Sequence, residues 1–560
     1  MRSTPALETA VAPPKLTRSQ FIGTLAGLVL AMLLAALDQT VVGTAMPRIV
    51  AELGGFAQYT WTVTIYLIAS TLTGPVVGRL SDTFGRKRFY LAGIGIFLVA
   101  SWLCGAAWDM TSLIIFRGIQ GLGAGVMQMV AFTVIADLFP PARRGQAQGI
   151  FASVFGISSI LGPTVGGYIT DHLSWRWVFY VNLPLGLLAF AVLLLAFPDI
   201  RVARPFGRQV DYAGALLFTA AVVPFMLAVS WGGTTYPWTS PQILGLFGLS
   251  LAFGAAFVWV EGRVPEPLVP LGFFRNRIAL VGLVAAFFTS LAMFASILFI
   301  PLFIQGVIGA SATTSGNILT PMMLSFIVGS TTAGQIIYRT GRYKAVAVGA
   351  LAILTAGMVL LSTVDAGTSY LGILPYMLIV GVGLGATMPT FTIAIQNAVP
   401  YAQLGMATGL MSFFRSTGGA IGAAVMGSLV ANRFSAAFSE NLKAALGPDR
   451  LKAIPPQLLD ALSNPSNLMA RGMEGAGTAA SPDQLLGRLG PETAALAQGI
   501  LEALRLSLAD AIRLAFRVDA VLVLAVLAIV ALFLQEVPLR ASHTEPAHGE
   551  PVPAADPVEP

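Results

Sequence analysis

Apolar residues run in long unbroken stretches along this chain, and the polar residues between them are confined to short segments. Hydropathy places such runs at 21–45, 58–80, 88–107, 112–136, 146–170, 177–197, 211–230, 242–260, 278–304, 313–337, 343–363, 370–396, 404–431 and 515–535. Each is close to the roughly 20 residues that a helix needs to cross a bilayer. The runs do not alternate, which excludes an outer-membrane barrel. An all-α polytopic membrane protein with fourteen transmembrane helices follows. The polar remainder includes a segment at about 432–512. From Pro491 it carries Leu496, Ile500, Leu504, Leu508 and Ile512 at helical spacing, with Glu502, Arg505 and Arg513 on other faces. That spacing predicts an amphipathic helix leading into the last span, either above the membrane or in its interface. It caps an exit, or it is a tolerated insertion.

Composition agrees with the pattern. Of 560 residues 56% are hydrophobic and 10% charged, and mean hydropathy is +0.79, outside the range of soluble domains. The 59 glycines suit closely packed membrane helices. Charge sets the orientation. With the N-terminus cytoplasmic, the inner loops hold Arg86, Lys87, Arg88, Arg143, Arg144, Arg201, Arg204, Arg208, Arg263, Arg275, Arg277, Arg339, Arg342 and Lys344, against Arg48 and Arg176 in the short outer loops. Both termini are therefore expected inside, and the net charge of +6 reads as topology, not nucleic-acid binding. The first run lacks a small-residue cleavage site and reads as a retained helix. Cys104 is the single cysteine, so no intrachain disulfide forms.

A shift of 260 residues superposes Gly121, Gly123 and Gly125 on Gly381, Gly383 and Gly385, and Gly162 and Gly167 on Gly422 and Gly427. A second echo, at 256, pairs "GRLSDTFGRK" with "GQIIYRTGRY". The chain reads as duplicated: a tail at 1–20, a six-helix repeat at 21–197, a linker with two extra helices at 198–276, a second six-helix repeat at 277–540, and a disordered tail at 541–560. Parallel six-helix repeats are the architecture of rocking transporters, with substrate between the halves.

Several motifs carry a family resemblance. "GRLSDTFGRKRFYL", "IIFRGIQGLGAG" and "GISSILGPTVGGYI" resemble, in order, the loop between helices two and three, the helix-four motif and the antiporter helix-five motif of the major facilitator superfamily. "ALDQTVVGTAMPRI" and "WRWVFYVNLPLG" resemble helices one and six of its fourteen-helix drug:proton antiporter branch, with Gly43 where that branch usually has Asn. The resemblance implies the major facilitator fold, no enzymatic activity, no cofactor, and proton-driven multidrug efflux by alternating access.

The residues themselves support separate readings. Gly78, Asp82, Gly85, Arg86 and Lys87 form either a cytoplasmic gate, through an acid and a base four residues apart, or an ordinary solvated turn. Gly162, Gly166 and Gly167 clear one helix face, and Pro163 removes a backbone donor, so close packing with a bend is expected. No Walker A, HExxH or GxSxG sequence occurs, and His172, His543 and His548 lie outside the runs, leaving no metal site or intramembrane histidine.

Inside the membrane the ionisable residues are taken as Asp38, Arg117 and Arg415. Asp38 lies about eight residues, or roughly 12 Å, below the outer surface, and Arg117 roughly 9 Å below it. The two can meet, as a structural ion pair or as a proton-coupling pair whose separation loads and releases a proton. The resemblance favours the second. Arg415 lies near the midplane with no acid of the second half at its depth. It meets substrate, or it bonds carbonyls and the polar ends of Asn317 or Gln396. Tyr66, Gln128, Met388 and Thr392 line a substrate cavity or pack in a core. The expectation is a proton-coupled exporter of amphipathic compounds in the cell inner (plasma) membrane, with substrate, protons and the bilayer as partners, no nucleic acid, and a monomeric chain. An exporter of lipids or of one metabolite, and a non-transporting sensor, are the alternatives.

Overall fold

The computed structural model describes residues 16–53, 59–140, 143–198, 211–233, 235–310, 319–451 and 491–539. The tail at 541–560, most of that at 1–20, residues 199–210 of the linker and Asn317 lie outside them. The described residues form helices and one isolated bridge between Gly232 and Tyr236. In the first half these are α1 (Arg18–Leu53), α2 (Tyr59–Phe84), α3 (Arg86–Gly105), α4 (Met110–Leu138), α5 (Arg144–His172), α6 (Trp177–Tyr180) and α7 (Asn182–Ala196). An intervening pair follows, α8 (Tyr212–Trp231) and α9 (Pro241–Glu261). The second half holds α10 (Arg277–Phe303), α11 (Leu319–Thr340), α12 (Lys344–Leu361), α13 (Tyr370–Asn397), α14 (Leu404–Leu451) and α15 (Pro491–Phe533).

Thirteen segments among the described residues are long and apolar enough to cross a membrane, with α6 and α7 together making one. That crossing is divided because Pro184 has no N–H to return to the carbonyl of Tyr180. α11 completes fourteen. Ser325, Ser330, Thr331 and Gln335 dilute its hydropathy, yet it packs along both α13 and α5. Its polar residues are tolerated because Ser325 and Ser330 are buried against neighbouring helices, while Leu324, Val328 and Ile336 keep an apolar outer face.

Helix pairing repeats between the halves. In the first, α1 packs on α5 and α7, and α4 on α2 and α3; in the second, α10 packs on α14 and α15, and α13 on α11 and α12. The repeated glycines serve the same contacts. A side chain at Gly121 or Gly125 would strike the α2 backbone and one at Gly123 the α3 backbone, while Gly381 and Gly385 face α11 and Gly383 faces α12. The halves meet symmetrically as well, α2 against α14 and α5 against α11. The extra pair, α8 and α9, is attached through α8 to α2 and α14. α9 is almost bare of buried residues, with Ile243 and Glu261 the exceptions.

The expected spans at 404–431 and 515–535 are too short. α14 has 48 residues and α15 has 43. At about 1.5 Å per residue, α14 is roughly 72 Å long, against a hydrocarbon core of about 30 Å. The surplus forms a two-helix hairpin. Phe434, Phe438, Leu442 and Leu446 of α14 share a core with Ala503, Leu508 and Ile512 of α15, beside an Arg433 to Asp510 ion pair of 2.7 Å. Thus the predicted amphipathic face lies against α14. Arg505 ties the hairpin to the π turn ending α10 by donating to the Val307 carbonyl at 2.7 Å, and Arg513 donates to the Val364 carbonyl at 3.0 Å.

Candidate functional site

A buried polar network occupies the interior of the first half. Asp109 starts α4 by accepting from the Ser112 backbone N–H at 2.6 Å, a bond that holds its carboxyl below the usual carboxylate range. Two turns on, Arg117 Nη1 donates to Asp38 Oδ2 of α1 at 2.6 Å and to Gln120 Oε1 at 2.7 Å. Gln120 Nε2 donates to Asp38 Oδ1 at 2.8 Å and to Ser101 Oγ of α3 at 2.7 Å. Asn182, the first residue of α7, donates to Asp38 Oδ1 at 2.8 Å. All five residues are buried. An acid and a base so placed in an apolar bundle are tolerable because each is paired and hydrogen-bonded. Oδ1 accepts two bonds and Oδ2 one, so Oδ2 is the oxygen with a lone pair left for a proton.

The Tyr66 ring separates this network from a small cavity. Arg117 Cζ stands 4.2 Å from the ring centroid, a cation–π contact. Beyond the ring, Gln39, Ser70, Gln128 and Phe155 help line a cavity of about 30 Å³. That is room for a water or two, not for a drug-sized molecule. Tyr66 and Gln128 therefore line one space. Met388 is half-buried and packs against the cores of both halves, while Thr392 returns its hydroxyl to the Met388 carbonyl of its own helix at 2.7 Å. Arg415 is half-buried on α14 and has no hydrogen-bond or ion-pair partner among the described residues. Gln396, expected as its partner, instead faces Arg144 and Thr408.

The loop between α2 and α3 is buried, not a solvated turn. Gly85 adopts φ +100°, a conformation that side chains resist, and this turn brings Arg86 back against Asp82 in an ion pair. Arg86 Nε also donates to Asp137 at the end of α4 at 3.0 Å, and Nη1 to Ser81 at 2.8 Å. The second half closes over this cluster. Gly405 packs on the Gly78 carbonyl and the Asp82–Arg86 pair, and Gly409 packs on Gly74, so α2 and α14 touch backbone to backbone. Tyr401 hydrogen-bonds Asp137, and burial and then the charge of Asp137 push its phenol well above the ordinary range. Arg144 crosses in the other direction. It is buried, donates to the Ala136 carbonyl at 2.8 Å and the Phe139 carbonyl at 3.0 Å, and reaches Gln396 of α13 at 3.4 Å. Lys87 stands apart, donating at the surface to the Leu194 carbonyl at the end of α7. The echo at Gly341 keeps the positive φ of +68° but not the charge cluster: Arg342 is exposed, and Tyr343 bonds the Gln535 carbonyl.

On α5, Gly162 and Gly166 admit Thr40 and Thr44 of α1, and Thr40 Oγ1 donates to the Ser158 carbonyl at 3.1 Å. Gly167 faces open space, so the three glycines do not share one packed face. The helix runs unbroken through Pro163, whose side chain lies outside the described residues. Ser101, Gln120, Asn182, Arg144 and Tyr401 were not marked by sequence reasoning as site residues. A search for amides and hydroxyls inside apolar runs finds the first three. Asp519, buried in the last span of the second half, is a further intramembrane ionisable residue beside Asp38, Arg117 and Arg415.

The family pattern of the Major Facilitator Superfamily matches residues 28–423. The multidrug transporter protein MdtP of Bacillus subtilis (strain 168) is 39% identical over 522 residues, which cover 93% of this chain and 94% of that protein. Multidrug resistance protein 3 of the same organism is 39% identical over 409 residues, 73% of this chain and 79% of that one. The efflux pump dotC of Dothistroma septosporum is 33% identical over 402 residues, 71% and 68% of the two chains. The solved proton:xylose symporter XylE has a similar fold, with a TM-score of 0.55 and 16% identity over 75% of this chain and 90% of that one. A duplicated six-helix bundle, the motif loop folded between its halves, and relatives aligned over most of the length lead to one assignment: the chain belongs to the major facilitator superfamily, a membrane transporter and not an enzyme.

Proposed function

We propose that this transporter exports amphipathic organic compounds, cationic or neutral, in exchange for protons, with Asp38 as the proton-carrying group. The observation that carries this reading is the network around Asp38. A carboxylate with three N–H donors and one lone pair free on Oδ2 is arranged for the ionised form, and displacing Arg117 would open that oxygen to a proton. Tyr66 links the two events, because one face of its surroundings is the cavity and the other is Arg117. A substrate that shifts Tyr66 shifts Arg117. At the opposite end, the cluster of Asp82, Arg86, Asp137, Tyr401 and Arg144 fastens the halves in the closed arrangement and parts on reopening. Because those basic residues mark the cytoplasmic end, the protein sits in the cell inner membrane with both termini inside. The names of its relatives support multidrug cargo, and a single chain contains every part of the network, which suits a monomer.

Proteoliposomes loaded with a lipophilic cationic dye test this. Wild type concentrates dye against its gradient when a proton gradient is imposed, Asp38→Asn does not, and Asp38→Glu retains part of the activity. Dye concentrated by Asp38→Asn with unchanged proton dependence would move the proton elsewhere. No proton-driven flux of any dye or lipid by wild type would favour the sensor reading.

A further inference from the structure

We propose that Asp519 is a second proton-binding site, lodged in the core of the second half and kept as a neutral carboxylic acid until the transport cycle exposes it. This rests on the proton-coupled reading above. Asp519 lies within the apolar stretch of α15, is 0% exposed, and neither of its carboxylate oxygens has a hydrogen-bond partner among the described residues. Its helix neighbours Ala515, Phe516, Ala520 and Val523 all belong to the apolar core of this half.

Among the described residues no charge compensates it. α15 packs on α10, α12, α14 and the π turn at Ile304–Ile308. The only ionisable side chain of α10 is Arg277 and of α12 Lys344, each at the first residue of its helix, and the π turn has none. Among the described side chains of α14 there are Arg415, Arg433, Glu440 and Lys443; Arg433 is paired with Asp510, and the rest form no ion pair with Asp519. On α15 itself Arg513 is spent on the Val364 carbonyl, and Arg517 makes no bond to Asp519. An ionised carboxylate with no donor in such a core costs far more than a neutral one, so the group holds a proton there.

Position gives the proton a use. Asp519 is six residues past Arg513, which is bonded to the loop after α12, or about 9 Å down the helix. Arg117 is eight residues past Asp109, the cap in the matching loop of the first half, or about 12 Å down. The two halves thus hold acids at similar depth in corresponding layers. Asp38 is supplied with donors for its ionised form, and Asp519 with none. Binding is a single step, carboxylate plus a proton giving the acid, and release returns the proton to water when the half-bundles rock and admit solvent.

Infrared spectra of the reconstituted full chain read this directly. At neutral pH the wild type should show the carbonyl stretch of a protonated, dry carboxyl group that is absent in Asp519→Asn and present in Asp38→Asn. Asp519→Asn should also lower the number of protons exchanged per ethidium exported, while Asp519→Glu keeps it. A spectrum identical in wild type and Asp519→Asn, or unchanged proton stoichiometry in Asp519→Asn, overturns the proposal. The two acids are separable: loss of the band only in Asp519→Asn stands even if Asp38→Asn proves active, and activity of Asp38→Asn bears on Asp38 alone.

Discussion

Asn182 and Gln120 each place one N–H on Asp38 Oδ1, and these neutral donors decide how tightly the carboxylate is held. A hydrogen bond to a charged group contributes about 1.5–3 kcal/mol, so each donor is a measurable part of what holds the carboxylate. Asn182→Ala is expected to leave the protein folded and to change the pH profile of dye export, because the Asp38 carboxylate loses one of its donors. An unchanged profile would make Asn182 a packing residue. Arg117→Ala should weaken export and shift its pH dependence as well. Tyr66→Leu keeps the bulk of the wall but removes the cation–π contact, and should allow downhill dye flux while proton-driven accumulation falls. Counterflow against proton-driven uptake separates the two.

At the scale of elements, the hairpin extending α14 and α15 depends on apolar contact, not on charge. Phe434 and Phe438 stack with centroids 5.7 Å apart, and Phe438 is buried in the shared core. Phe438→Ala should lower stability by about 3 kcal/mol, the usual cost of emptying a core aromatic site, whereas Arg433→Ala, at a partly exposed ion pair, should change it by less than about 1 kcal/mol. Thermal unfolding in detergent compares them. Gly85→Ala tests the turn between α2 and α3. At φ +100° a side chain costs about 1–3 kcal/mol, and Arg86 can no longer sit at ease between Asp82 and Asp137. Expected are lower stability and faster reaction of cysteines placed between the halves at this end.

For the whole molecule, the decisive contact is α2 against α14. A side chain at Gly409 would meet the Gly74 carbonyl and the Pro75 backbone, so Gly409→Leu should wedge the halves apart at the end that carries Arg86. Distances between spin labels on the two halves should lengthen at that end and export should stop. A variant with wild-type distances and normal export would show that this closure is not required. Arg144→Ala should loosen the same end without wedging it, because Arg144 is held in its own half by the Ala136 and Phe139 carbonyls and reaches across the seam to Gln396.

What sequence determined by itself is what depends on solvent. Spans, duplication and the anomaly of Asp38 and Arg117 were legible because lipid selects apolar residues and makes a charge costly wherever it appears. Depth along two helices was enough to bring that pair to one level, though not to show their bonds. Tertiary structure decided which neutral groups surround them. Ser101, Gln120 and Asn182 barely alter the hydropathy of an apolar run, and only packing turns them toward one carboxylate. Arg144 read as a topogenic loop charge because its local sequence is basic and polar, and the carbonyls that bury it belong to α4. The hairpin was half visible: the α15 stripe predicted an amphipathic helix, but its partner is the continuation of α14, where apolar residues are too sparse to read as a span. Periodicity names a face; what covers that face depends on contacts between residues far apart in the chain.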